Sequence, residues 1–179
     1  MFGIERVELK NSDEVRLMRE AGLVVARALA AVREAARAGT TTAELDAVAA
    51  SVIAEAGAVP SFLGYQGFPA STCISVNDEV VHGIPGARIL EPGDVVSIDC
   101  GAIVRGWHGD AAVTIVLDEA DPADVALSQA AHDAMWAGIA ALHGASRVGE
   151  VSAAIDDAIT AAGVADGVVY GIVEEYVGH

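Results

Sequence analysis

The segment DVVSIDCGAIVRGWHGDAAVTIVL, residues 94–117, decides the fold. Asp94–Asp99 and Ala111–Leu117 are rich in β-branched residues, and the glycines between them mark turns. Taken as a hairpin centred on Val104-Arg105, the facing residue numbers sum to 209, which sets Asp99 opposite Asp110 on one sheet face. Like charges so placed cost about 0.2–1 kcal/mol even when exposed, and a divalent cation between them reverses the sign. Hard oxygen ligands suit Mn, Co, Fe, Mg or Zn. Spacing alone leaves open a second reading, in which the two aspartates cap turns and face solvent.

Upstream, Cys73–Val76 and Glu79–His82 read as two further short strands around Asn77-Asp78. With that pair as a two-residue turn, the facing numbers sum to 155 and His82 stands opposite Cys73. A lone histidine is more often packed or solvated than catalytic. His108, His132 and His143 read as structural or exposed, and His179 after Gly178 carries no meaning from its position alone. Neither Cys73 nor Cys100 has the paired spacing of a thiolate metal site, so each reads as a buried or pocket thiol. A phosphate-cradling glycine loop, a serine nucleophile elbow and a His-Glu-x-x-His zinc helix are all absent from the sequence.

On either side of this β-rich region the period changes to that of helices. Asn11-Ser12-Asp13-Glu14 starts one, with Leu17, Met18, Ala21, Val24, Val25, Ala28, Leu29 and Val32 on its apolar face. Thr41 and Glu44 have the spacing of a capping box for a second, which carries Leu45, Val48, Ala49, Val52 and Ile53. Two more helices are predicted over about 121–143 and 149–162, followed by the start of a strand at Gly167–Tyr170. The second pair repeats the first at an offset of 106 residues, with Glu44 over Glu150, Ile53 over Ile159 and Gly57 over Gly163; the alternative reading is a chance match of two alanine-rich amphipathic helices. The expected architecture is therefore α+β, with residues 12–117 as one helix-helix-sheet half and 118–179 as the start of another. On that arithmetic the second sheet falls beyond residue 179, so the expectation is one incomplete domain.

Composition narrows the function classes. The chain of 179 residues holds 10 basic and 26 acidic side chains, a formal charge of −16, which argues against binding a phosphate backbone. Its 53% hydrophobic content is enough to offset the entropy of folding. No apolar run is long enough to span a bilayer, and Glu5, Arg6 and Glu8 interrupt the start where a secretory signal would be apolar. A cytoplasmic protein without nucleic-acid or membrane partners is expected.

At these residues the chain resembles methionine aminopeptidase of the type I, bacterial-like form. The resemblance is carried by Ser71–Asn77 leading to Val81-His82-Gly-Ile-Pro85, by Ser97-Ile-Asp99-Cys-Gly101, by Gly106-Trp-His-Gly-Asp110-Ala, and by Gly178-His179. It implies the pita-bread fold of two pseudo-symmetric halves and a site for two divalent ions (Co, Mn, Fe or Zn). Asp99 would bind one metal through both oxygens, Asp110 would bridge the two, and His179 would bind the other; two glutamates from beyond residue 179 would complete the set. His82 would hydrogen-bond the substrate beside the scissile amide, and Tyr65, Phe68 and Cys73 would line the methionine pocket. The implied reaction is removal of the initiator methionine from nascent polypeptides by a monomer, with a ribosome contact left open. The segment as it stands, lacking two ligands, is expected to be inactive. The competing readings are an Xaa-Pro-type aminopeptidase of the same fold and a non-catalytic binding module.

Overall fold

The computed structural model describes residues 8–173, in two units that divide after Glu119. In the first unit, α1 (Ser12–Ala35) and α2 (Thr42–Glu55) precede β1 (Val59–Pro60), β2 (Thr72–Val76), β3 (Val95–Val104) and β4 (Trp107–Val116). Both helices begin with a reciprocal capping box, Asn11 with Glu14 and Thr41 with Glu44, and in α2 the Thr42 and Ala43 amides donate instead to the Arg88 and Gly86 carbonyls of a distant loop. The apolar stripe of α1 is buried at Ala21, Val24, Val25, Ala28, Leu29 and Val32, and that of α2 at Leu45, Ala49 and Ile53.

The sheet is antiparallel and centred on β3. One edge of β3 pairs along its whole length with β4; the other takes β2 and then β1. Because side chains alternate along a strand, Val96, Ile98, Cys100 and Ala102 point to one face, where they join Ile74, Val76, Leu90 and the helices in a single core. Each fully buried Ile or Leu there contributes about 1.5–3 kcal/mol. Gly109 lets α1 approach closely, since a Cβ there would lie 2.5 Å from the backbone nitrogen of Gly22. The opposite face carries Asp99 and its neighbours.

The β3–β4 register corrects the sequence expectation by two residues. Arg105-Gly106 is the turn, not Val104-Arg105: Val104 pairs with Trp107, Asp99 with Ala112, and Gly101 with Asp110. Both turn residues have positive φ, 50° and 84°. A primed two-residue turn needs that conformation, which Val104 would resist and Gly106 adopts freely. Arg105 is also ion-paired to Glu20 of α1.

Two other expected strands are not formed. Residues 79–82 are a loop, and β2 pairs with β3 instead, so Cys73 faces Asp99 rather than His82. The loop stays against β2 through the Ile74 amide, which donates to the Gly83 carbonyl (2.9 Å). Gly167–Tyr170 is likewise not a strand, since no strand among the described residues pairs with it.

The second unit contains α3 (Pro122–Ala141) and α4 (Val148–Asp166), packed closely where Gly138 meets Ile155. Helix ends follow the sequence repeat: α1 ends at Ala35 and α3 at Ala141, α2 starts at Thr42 and α4 at Val148, both 106 residues apart. Among the described residues no helix is long and apolar enough to cross a membrane.

Candidate metal centre and pocket

Asp99 and Asp110 share the sheet face turned away from the helices. They are diagonal neighbours rather than directly opposed, because Asp110 lies two positions before Ala112, the partner of Asp99. The two-residue shift preserves parity, so both carboxylates stay on the face that the sequence assigned. Asp99 is half-buried, with its Oδ1 shut off from solvent, and Asp110 is exposed.

The carboxylates set the electrostatics around them. Burial first, then the negative charges of Asp99, Asp110 and Asp46, push the Cys73 thiol up to about 11 and the Cys100 thiol up to about 12. Both therefore stay protonated at neutral pH and are poor nucleophiles. Cys73 lies on the site face and Cys100 on the core face, so the two play different parts: a pocket wall and a core residue.

A cavity of about 500 Å³ opens beside this face, lined by Phe62, Tyr65, Phe68, Cys73, His82 and Asp99 among others. Cys73, His82 and Asp99, and the Tyr65 and Phe68 that the family resemblance implied, are thus brought together in one pocket. Phe62, Gln66 and Pro69 also line it and were not foreseen, since the segment 61–69 has no periodicity to read, and Ile84 of the His82 loop joins them. Gly101 lets that segment settle on the sheet: a Cβ there would stand 2.8 Å from Ser61 Cβ and 2.9 Å from the Phe62 ring.

Asp46 of α2 is a further residue that sequence reasoning missed. Its Oδ1 accepts from the Ser71 amide (3.0 Å), the Thr72 amide (2.8 Å) and the Thr72 hydroxyl (2.6 Å), fixing the start of β2 just before Cys73. His82 sits in its loop at the pocket wall. The loop's flanks are anchored by Asn77, whose amide donates to Asp94 (2.8 Å), and by the Thr42 hydroxyl, which bonds both the amide and the carbonyl of Gly86.

His108 is exposed and shares a hydrogen bond with Ser61 (3.0 Å). His132 bonds Trp136 and Asp133 on its own helix, holding the Asp133 carboxyl below its usual range, and His143 is exposed. His179 lies outside the described residues. Among the described residues no three metal-ligating side chains form a cluster. The donor set of Asp99 and Asp110 nevertheless fits a hard divalent cation: two carboxylates share one face, one oxygen is sealed from water, and their joint negative field reaches both thiols.

The helix-backed antiparallel sheet that carries this carboxylate-bearing pocket makes the chain an α+β protein with the pita-bread fold. The chain belongs to metallopeptidase family M24, whose sequence pattern matches residues 16–179. Methionine aminopeptidase 1 of Mycobacterium tuberculosis is 51% identical over 97% of this chain, and the chain spans 65% of that relative's length. The crystal structure of methionine aminopeptidase from Thermotoga maritima superposes with a TM-score of 0.83 at 33% identity, over 88% of this chain and 64% of that one. Aminopeptidase PepP of Pseudomonas aeruginosa shares the fold, with a TM-score of 0.77 at 24% identity over 93% of this chain and 37% of its own. Membership of a metallopeptidase family implies a divalent metal cofactor.

Proposed function

We propose that the whole protein is a cytoplasmic methionine aminopeptidase that uses two divalent ions to release the initiator methionine from nascent chains. The observation that carries this reading is the pocket itself, in which Tyr65, Phe68, Cys73 and His82 meet Asp99. The 51% identity to a methionine aminopeptidase supports it.

In this reading Asp99 and Asp110 would hold the metal ions, with His179 as a further ligand. When bound, the ions lower the pKa of water and polarise the scissile carbonyl. Phe62, Tyr65 and Phe68 receive the unbranched thioether side chain, and Cys73 closes the pocket as a neutral thiol that does not compete as a nucleophile. His82, which lines the same pocket as Asp99, would hydrogen-bond the substrate beside the scissile amide and so fix that bond relative to the carboxylates. Removing a donor of that kind costs roughly 10²–10³ in kcat.

The test is hydrolysis of Met-Ala-Ser against an Xaa-Pro peptide by the full-length protein with Co²⁺, Mn²⁺, Fe²⁺ or Zn²⁺, alongside calorimetric titration of Mn²⁺ into Asp99→Asn and Asp110→Asn. Methionine release, together with at least tenfold weaker metal binding in both variants, is the expected result. Cleavage before proline instead would assign the Xaa-Pro activity. Absence of both hydrolysis and metal binding would leave only a binding module.

A further inference from the structure

His82 lies on a loop rather than a strand, so something other than a β-ladder must fix its direction. The turn that presents it is closed by the Gly83 amide donating to the Val81 carbonyl (2.8 Å), with His82 between them. Val81 has φ 49°. A β-branched residue occupies that left-handed region only where its surroundings impose it.

Ser75 supplies that constraint. It is 3% exposed, on the site face of β2 opposite Ser97. Its hydroxyl donates to the Val81 carbonyl and accepts from the Gly83 amide (3.0 Å), so it grips the residues immediately before and after His82. Gly83 lies flush against the same strand, where a Cβ would fall 2.2 Å from the Ile74 carbonyl oxygen, and the Ile74 amide returns a bond to the Gly83 carbonyl. Phe62, Tyr65 and Phe68 of the pocket wall lie on a different segment, 61–69, to which none of these bonds is made.

We propose that Ser75 is the positioning residue for His82: its buried hydroxyl clamps the two neighbouring peptide groups and holds the imidazole toward the pocket. The proposal rests on the reading that His82 touches substrate. It predicts that Ser75 acts on turnover through His82 and leaves side-chain binding in the pocket alone.

The experiment compares Ser75→Ala, His82→Ala and the double variant in the full-length metal-loaded protein, with Met-Ala-Ser as substrate. Amide exchange at Gly83 is followed by NMR in the same proteins. In Ser75→Ala the Gly83 amide should exchange at least tenfold faster, and kcat should fall roughly tenfold or more with KM within about threefold. The double variant should be no slower than His82→Ala, because both act through one group. Ile53→Val, which weakens the core on α2, controls for stability and should leave kcat unchanged. Unaltered Gly83 exchange in Ser75→Ala would overturn the clamp. Faster exchange with unchanged kcat, where His82→Ala is slow, would overturn the positioning role, as would full additivity in the double variant. If His82→Ala is itself fully active, the substrate-contact reading and the positioning role built on it both fail, while Gly83 exchange still decides the clamp.

Discussion

Replacing Gly109 by alanine tests how α1 is seated on the sheet that carries Asp99 and Asp110. The added Cβ would meet Gly22 N at 2.5 Å, Ala21 C at 2.6 Å and Gly22 Cα at 2.7 Å, all backbone atoms that no rotamer change can move. Restoring ordinary contact at about 3.4 Å opens the interface by about 0.9 Å. A gap of that size forfeits a quarter to a half of each affected dispersion contact. Losing about a third of the dispersion energy of Ala21, Val24 and Val25 against the sheet amounts to ~3 kcal/mol. That is the upper end of the range for overpacking. Gly22, though it faces Gly109, behaves oppositely: its own Cβ would meet nothing within 4 Å. Gly22→Ala should therefore stabilise by about 0.5–1 kcal/mol through helix propensity alone. Neither glycine has positive φ, so no backbone strain enters either estimate. Urea unfolding followed by circular dichroism is the assay. With an m-value of about 1.5–2 kcal/mol/M, the Gly109→Ala midpoint should fall by about 1.5–2 M and the Gly22→Ala midpoint rise by about 0.3–0.5 M. A Gly109→Ala midpoint within 0.3 M of wild type, on the order of 0.5 kcal/mol, would refute the close seating, as would equal losses in both variants.

Gly101→Ala should push Ser61 and Phe62 off the sheet, because its Cβ would lie within 3.0 Å of both side chains. The expected consequence is a KM for methionyl peptides raised roughly tenfold, measured by steady-state kinetics of the full-length protein. Glu44 gives a pH-dependent case. Its bonds from the Thr41 amide and hydroxyl hold its carboxyl below the ordinary 4.5. A depressed folded-state value means this stabilisation is complete above 4.5 and is lost as pH falls through the folded value. The urea midpoint of Glu44→Gln should accordingly lie below wild type at pH 7 and converge with it as the pH falls through the folded-state value; a gap that stays constant from neutral to acid pH would contradict the capping account.

The amino-acid sequence by itself determined the helices, because capping and an apolar stripe are local: Asn11 with Glu14 and Thr41 with Glu44 mark starts, and the buried positions of α1 and α2 fall on the faces their spacing predicts. It also determined that Asp99 and Asp110 share a face, since alternation along a strand survives a two-residue error in register. The register itself was settled by the turn, where Arg105-Gly106 could take positive φ and Val104-Arg105 could not readily do so. Only tertiary structure decided the rest. Residues 79–82 have strand-like composition, but β3 takes β2 as its partner and leaves them a loop, so Cys73 faces Asp99 and His82 depends on Ser75 and Gly83. The same holds for Asp46, which reaches Ser71 and Thr72 from 25 and 26 residues away, and for the pocket wall at 61–69, which takes its shape from lying on Gly101. Local periodicity encodes which face a side chain takes; which chain segment it meets there depends on contacts between residues far apart in sequence.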